Sequence, residues 1–457
     1  MALGHTGARL LPPAVAMLGV AIGVLAAVSP LLALAAAAAI AFATLTIVDL
    51  TLGVALFAFV SFIEVLPGFG ALSIAKLAGG VLVLSWIAAT AASQRQLPQI
   101  ASAFPGFTVV MVLFVAWVAV SLLWAEDGAL VANSLQRFLP NLLLFAIMFS
   151  AVRSGRDARL ILAAFVLGAL ISTAYGGFIA SGDADAAADG RVSGAGVDPN
   201  YLAASLVASL AICVGVIATV RYPSSLRFAA LLAVLVLMAA LAATASRTGV
   251  VALLVATGFA VLTAGRGRRL AASLLVSLLL VGGAVYLAQG APQQVRERLA
   301  SIDTSGTGRT DIWKVATRVI EDNAVIGVGA GNFLAVSVHY LFESGTLRRS
   351  DLIVDDPKVT HNVFLGLWAE LGIIGLALFV MIVGFSIRCA LKAARRFEEV
   401  GDRAQELLAR SVAVAMVGEL VASFFVSNEY EKTLWLMLAL GPSLLGLSRR
   451  SLATSHA

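Results

Sequence analysis

"VTHNVFLGLWAELGIIGLALFVMIVGFSI", residues 359–387, decides what kind of protein this is. From Val363 onward it is apolar for long enough to cross a hydrocarbon layer, which takes about 20 residues of helix. Yet it opens on His361 and Asn362 and carries Glu370 within the run. Polar groups in such places are costly in lipid, and where they are kept they mark substrate, ion or proton chemistry. On an ideal helix Glu370 lies about two and a half turns beyond His361, on the opposite face. The two are not a catalytic dyad. Glu370, like Glu419 in "VAMVGELVASFF", is expected to pair with a buried arginine or with helix-end groups.

The rest of the chain has the same character. Of 457 residues 60% are hydrophobic and only 12% charged, against about 45–50% and roughly 25% in soluble domains. Apolar runs fall near 11–28, 31–48, 51–66, 71–92, 105–124, 135–152, 157–178, 199–220, 228–245, 248–265, 270–288, 361–387, 408–427 and 432–447. Runs of this length are helices and not the ~10-residue alternating strands of a barrel. The expected fold is an all-α polytopic integral membrane protein with 12–14 transmembrane helices and one large outside loop containing short helices. The first run follows Arg9 and is read as a retained first helix, because another span begins at Pro30. The expected divisions are a transmembrane bundle over 1–288, a loop domain over 289–360, further transmembrane helices over 361–447 and a tail over 448–457.

Charge orients the bundle. With the N-terminus in the cytoplasm, the inside loops hold Arg95; Arg153, Arg156 and Arg159; Arg221 and Arg227; Arg266, Arg268 and Arg269; the basic stretch from Arg388 to Arg410; and Arg449 with Arg450. The outside connections around 29, 67–70 and 125–134 have no Lys or Arg. That is the positive-inside pattern, and it places both termini in the cytoplasm. The net charge of +5 therefore marks orientation and not a nucleic-acid partner. Cys213 and Cys389 stand far apart, and they suggest neither a disulfide framework nor a metal site.

Polar residues gather on the outside face. "GRVSGAGVDPNYL" supplies Arg191, Asp198, Asn200 and Tyr201, and "ASRTGV" sets Arg247 between two apolar runs. The long loop holds Arg309, Arg318, Arg348 and Arg349. A guanidinium stays charged and makes forked contacts, so arginines at a membrane surface suit a lipid-borne phosphate or diphosphate. The blander reading is that each one snorkels to headgroups. His361 at the mouth of a span suits a general base, against a plain role in capping the helix. Asn362 is placed to orient the imidazole or a substrate hydroxyl. His339, in "SVHYLF", competes as a base but sits among apolar residues, which favours a structural role.

In "DIWKVATRVIEDN" the residues Ile312, Val315, Ala316, Val319 and Ile320 recur at helical spacing, so an amphipathic helix rests its apolar face on something. Gly327, Gly329 and Gly331 alternate in "GVGAGNF", but this is no complete dinucleotide fingerprint. It reads as a flexible or tightly packed turn. The aspartates of "SGDADAAADG" lack the ligand pattern of a calcium loop. No metal or other cofactor is expected.

His361-Asn362, nine residues, Gly372, two residues, Gly375 resembles the histidine motif of the O-antigen ligase family. "GRVSGAGVDPN", "SRTG" and "GRTDIW…IGVGAGNF" resemble that family's landmarks in the same order, across roughly 190 to 376. The resemblance implies a GT-C-like glycosyltransferase of the bacterial inner membrane with a periplasmic active site. It would move a polysaccharide from undecaprenyl diphosphate to a sugar of lipid A-core. Arg191, Arg247 and Arg309 would hold the donor diphosphate and His361 would deprotonate the acceptor hydroxyl, with Asn362, Asn200, Arg318 and His339 in support. The partners implied are the lipid-linked donor, the lipid A-core acceptor and membrane lipids. Polymerases of the same superfamily are the nearest alternative, although the earlier outside loop, 179–198, is short and holds one arginine. A secondary transporter would show matching halves with broken helices at the midplane, and no matching halves are evident.

Overall fold

Side-chain caps mark where the helices begin. Ser29, Asp49, Asp127, Asp198, Ser246, Asn362 and Asp402 each accept from backbone N–H groups one or two residues into the helix that follows. In lipid no water would answer those donors, so the caps matter more than on a soluble helix. Pro30, Pro105 and Pro199 stand in the first turn, where a missing N–H costs nothing.

The computed structural model describes residues 17, 19–63, 74–92, 99–178, 191–194, 198–264, 309–340 and 358–455. The expected span 270–288, Arg266, Arg268, Arg269, Arg348, Arg349 and most of the loop 179–198 lie outside them. The helices are α1 (Gly19–Val28), α2 (Pro30–Val48), α3 (Leu50–Val60), α4 (Ile74–Ala92), α5 (Pro105–Val120), α6 (Gly128–Ala151) and α7 (Gly155–Phe178). They continue as α8 (Pro199–Ala218), α9 (Ser224–Ala243), α10 (Arg247–Thr263), α11 (Arg309–Asn323), α12 (Val363–Glu399), α13 (Arg403–Ala422) and α14 (Lys432–Ser455). Among the described residues seven stretches are long and apolar enough to cross a membrane, in α4 to α9 (α5 running on through a 3-10 turn to Leu123) and in α12; those of α1, α2 (Leu32–Val48), α3 and α10 are apolar but shorter. The fold is that of an all-helical polytopic membrane protein.

Helix α12 is the hub, packed by α5, α13, α14 and α11, while α13 also packs α8 and α10. Where α5, α6, α12 and α14 meet, fully buried Trp435 lies against Phe138, Phe145 and Phe379, with ring centroids 6.1–6.3 Å apart. Its indole N–H donates to the Glu429 carbonyl at 2.7 Å.

The span expected at 361–387 begins two residues later, runs to Glu399, and is not straight. At Gly372 the backbone turns to φ 67°, ψ −174°, splitting α12 into Val363–Leu371 and a longer second part. A break inside such a helix strands backbone groups, and four of those here find partners outside it. The carbonyls of Ala369 and Glu370 accept from Val328 and Gly329 N–H at 3.0 and 2.8 Å. Leu371 O accepts from the Trp117 indole at 2.8 Å, and Ile373 N–H donates to Ala324 O at 2.9 Å. Most of these partners come from the turn after α11, which lies so close that a Cβ on Gly372 would collide with the Val325 carbonyl. The glycine-rich stretch is thus a tightly packed turn and not a flexible one. Asn332 fastens it to the α5–α6 connection, accepting from Asp127 N–H at 2.7 Å and donating to Asp127 O at 3.1 Å.

Helix α11 lies as its spacing demands. Ile312, Val315, Ala316, Val319 and Ile320 are all buried, in one cluster with Val328, Phe333 and Ala369, and Trp368 packs against them.

Candidate active site

His361 is not part of the helix it precedes. It sits one residue before the cap with φ 49°, a left-handed conformation that a non-glycine side chain resists at about 1–3 kcal/mol. Its neighbours hold it there. The Trp313 indole, one turn into α11, donates to Thr360 O at 2.8 Å, and the Thr360 hydroxyl donates to Asn362 O at 2.9 Å. Val363 N–H donates to Ser423 O at 2.9 Å. Asn362 serves the helix: its Oδ1 accepts from Phe364 and Leu365 N–H at 3.0 and 3.1 Å. The cap is therefore the asparagine and not the histidine, and that oxygen is committed away from the imidazole.

A second element comes from far earlier in the chain. Arg191 donates through Nε to Thr244 O at 2.8 Å and through Nη2 to Asn200 Oδ1 at 3.1 Å. Ser246 donates to the same Asn200 oxygen at 2.9 Å. Asn200 thus joins the start of α8 to the turn before α10. Asp198, which caps α8, accepts from Asn200 N–H and Nδ2 at 2.7 and 3.0 Å. Arg247 opens α10 and is exposed on its first turn, so the apparent lack of a loop is a helix start following left-handed Ala245, φ 47°.

Electrostatics connects the two elements. His361 is half-buried, and its pKa falls below the ordinary 6.5 because burial disfavours the imidazolium and the Arg309 charge repels it. Asp198 works in the opposite direction and Lys358 in the same direction as Arg309. The imidazole is therefore neutral at pH 7, with a carboxylate and two cations close enough to be felt. The remaining candidates lie elsewhere. Arg318 is buried and donates to the Tyr340 carbonyl at 2.6 Å, which braces the chain after the glycine turn. His339 is exposed, 3.8 Å from Glu126. Glu370 accepts from Gly331 N–H at 2.8 Å and from Phe333 at the start of a short helix, the helix-end role expected of it.

Sequence reasoning passed over Trp313, Thr360 and Lys358. Trp313 carried a signal, standing one turn beyond Arg309 on a helix that was already recognised. Among the described residues no three His, Cys, Asp or Glu side chains gather as metal ligands. A separate cavity of about 660 Å³ opens between α4, α6 and the start of α14, with Lys76, Arg137, Glu431 and Lys432 in its wall among apolar side chains. Arg137 lies over the Tyr430 ring, 3.8 Å from its centroid.

A half-buried imidazole that feels Arg309, Lys358 and Asp198, at the start of a helix long and apolar enough to cross a membrane, is the arrangement the chain offers. Residues 231–380 match the profile of the O-antigen ligase family. That stretch, about a third of the chain, is similar to the O-antigen ligase domain, a family whose members are glycosyltransferase-like enzymes. The matched stretch includes Arg247, Arg309, Arg318, His339, His361 and Asn362, while Arg191 and Asn200 precede it. No curated protein matches the chain.

Proposed function

We propose that the protein is an O-antigen ligase, moving a polysaccharide from undecaprenyl diphosphate to a hydroxyl of lipid A-core at the periplasmic face of the inner membrane. The observation that carries this reading is His361, held neutral in a strained conformation beside Arg309 within the family's matched stretch. The imidazole takes the proton of the acceptor hydroxyl as its oxygen attacks the anomeric carbon. The bond from that carbon to the diphosphate oxygen breaks, and its electron pair leaves on the diphosphate. Arg191, Arg247 and Arg309 hold that diphosphate and offset the charge it gains. The donor bond is already activated, so the scheme asks for neither nucleotide nor metal. The walls of the cavity near Arg137 suit a lipid substrate, apolar for a chain and cationic for a phosphate.

The test is expression in a bacterium lacking its own ligase but supplying matched donor and core. Polymer-capped lipopolysaccharide is expected. Longer lipid-linked polymer without capping would instead make the chain a polymerase. His361→Ala should reach the membrane in normal amount and lose about 10²- to 10⁴-fold in transfer; full transfer would remove His361 as the base.

A further inference from the structure

Deeper in the bundle a small space of about 10 Å³ has Ser61, Tyr201, Ser205, Glu419, Asn428 and Glu431 among its lining, with Ser172 and Thr433. These residues come from the end of α3, from α7, α8 and α13, and from the connection into α14. Glu419 and Asn428 are each 1% exposed. Glu419 Oε1 and Asn428 Oδ1 have no hydrogen-bond partner, although buried acceptors are nearly always satisfied.

The wall does not answer them. Ser61 Oγ donates outward to Phe57 O at 2.7 Å, and Tyr201 Oη to Ser427 O at 2.9 Å. Ser205 has one hydroxyl proton and three acceptors around it: Tyr201 O at 3.4 Å, Thr433 Oγ1 at 3.2 Å and the Glu419 carboxylate. A hydroxyl offers one donor and two lone pairs, so Ser61, Tyr201 and Ser205 spend their protons elsewhere and turn lone pairs toward the space, beside the unanswered oxygens of Glu419 and Asn428.

The geometry points to a bound sodium ion. A water could give its two protons to Glu419 and Asn428, but its own lone pairs would then face oxygen and it would leave an ionised Glu419 uncompensated. A small cation answers every lone pair at once and neutralises Glu419. The donors are hard oxygens, with no imidazole or thiolate, which selects a hard cation. The space holds a guest no larger than one water, so it has no room for the waters that Mg²⁺ keeps, and its one orphaned carboxylate oxygen suits a monovalent ion better than Ca²⁺. Potassium, the larger ion, is too big for it. The ion ties α3, α7, α8 and α13 together beneath Tyr201, three residues past Asp198, and so steadies the helix start that carries Asn200. This role does not depend on which glycan the enzyme transfers.

The test uses the full-length protein in detergent, exchanged into choline chloride and titrated with NaCl or KCl at constant ionic strength. Sodium should raise Tm saturably by about 3 °C or more, with potassium clearly weaker. Glu419→Gln, which keeps the shape and removes the charge, should lose the response. A Tm equal in all three salts, with no sodium retained through the exchange by elemental analysis, would mean that a water fills the space and would overturn the proposal. A sodium response that survives Glu419→Gln would do so too. Should that variant fail to fold, the comparison of salts on the unaltered protein decides alone.

Discussion

His361 carries two separable requirements, a conformation and a protonation state. A general base works only as the neutral imidazole, which is present above the folded-state pKa. Burial and Arg309 push that pKa below the ordinary 6.5, so transfer should be flat around pH 7 and fall only below the usual imidazole range. Arg309→Gln removes a repelling charge, raises the pKa, and should move the acid limb of kcat/KM toward neutral pH. An unmoved limb would limit Arg309 to substrate binding. Asn362→Ala should behave differently, costing about 1 kcal/mol of helix stability with the pH profile unchanged. In the sequence the histidine stood out because the chain has so few. The work of Asn362 did not stand out, because a polar residue before an apolar run suits a cap and a substrate contact equally well.

At the scale of the helix, the break at Gly372 is what lets the turn after α11 dock on α12. The turn after α11 can hydrogen-bond to α12 only because its backbone is open there, and α11 in turn holds Thr360 beside His361. Gly372→Ala asks a side chain to adopt φ 67° and to occupy the place of Val325 O. We expect it to cost roughly 1–3 kcal/mol in backbone strain alone and to lower Tm sharply in detergent. Gly384, later in the same helix, has open space where its Cβ would lie, so Gly384→Ala should leave Tm unchanged or raise it. Equal Tm values for the two variants would show that the break is not under constraint. The amphipathic face of α11 was legible because its apolar period is local. The break was not, because nothing at Gly372 distinguishes a kink from an ordinary helical glycine until the partners from residues 324–329 are in place.

For the whole molecule, the distribution of arginines predicts which end of the bundle faces the periplasm, and cysteine labelling tests it. The native Cys213 and Cys389 are buried, so background should be low. A cysteine at exposed Thr310 should react with an impermeant maleimide in cells with a permeabilised outer membrane. One at exposed Glu399 should react only after lysis. The reverse result would place His361 on the cytoplasmic side and remove the proposed chemistry from its substrates. By itself the sequence determined the class and the amphipathic helix and placed most helix starts to within a few residues, because hydropathy and periodicity act over a few neighbours. Only the tertiary structure decided which of those residues meet. Arg191 reaches the turn before α10 through Asn200, and Arg309 comes to His361 through Trp313 and Thr360, while Arg318 and His339 go elsewhere. Those destinations depend on partners some 20 to more than 50 residues away, and no local pattern encodes a hydrogen bond across that distance.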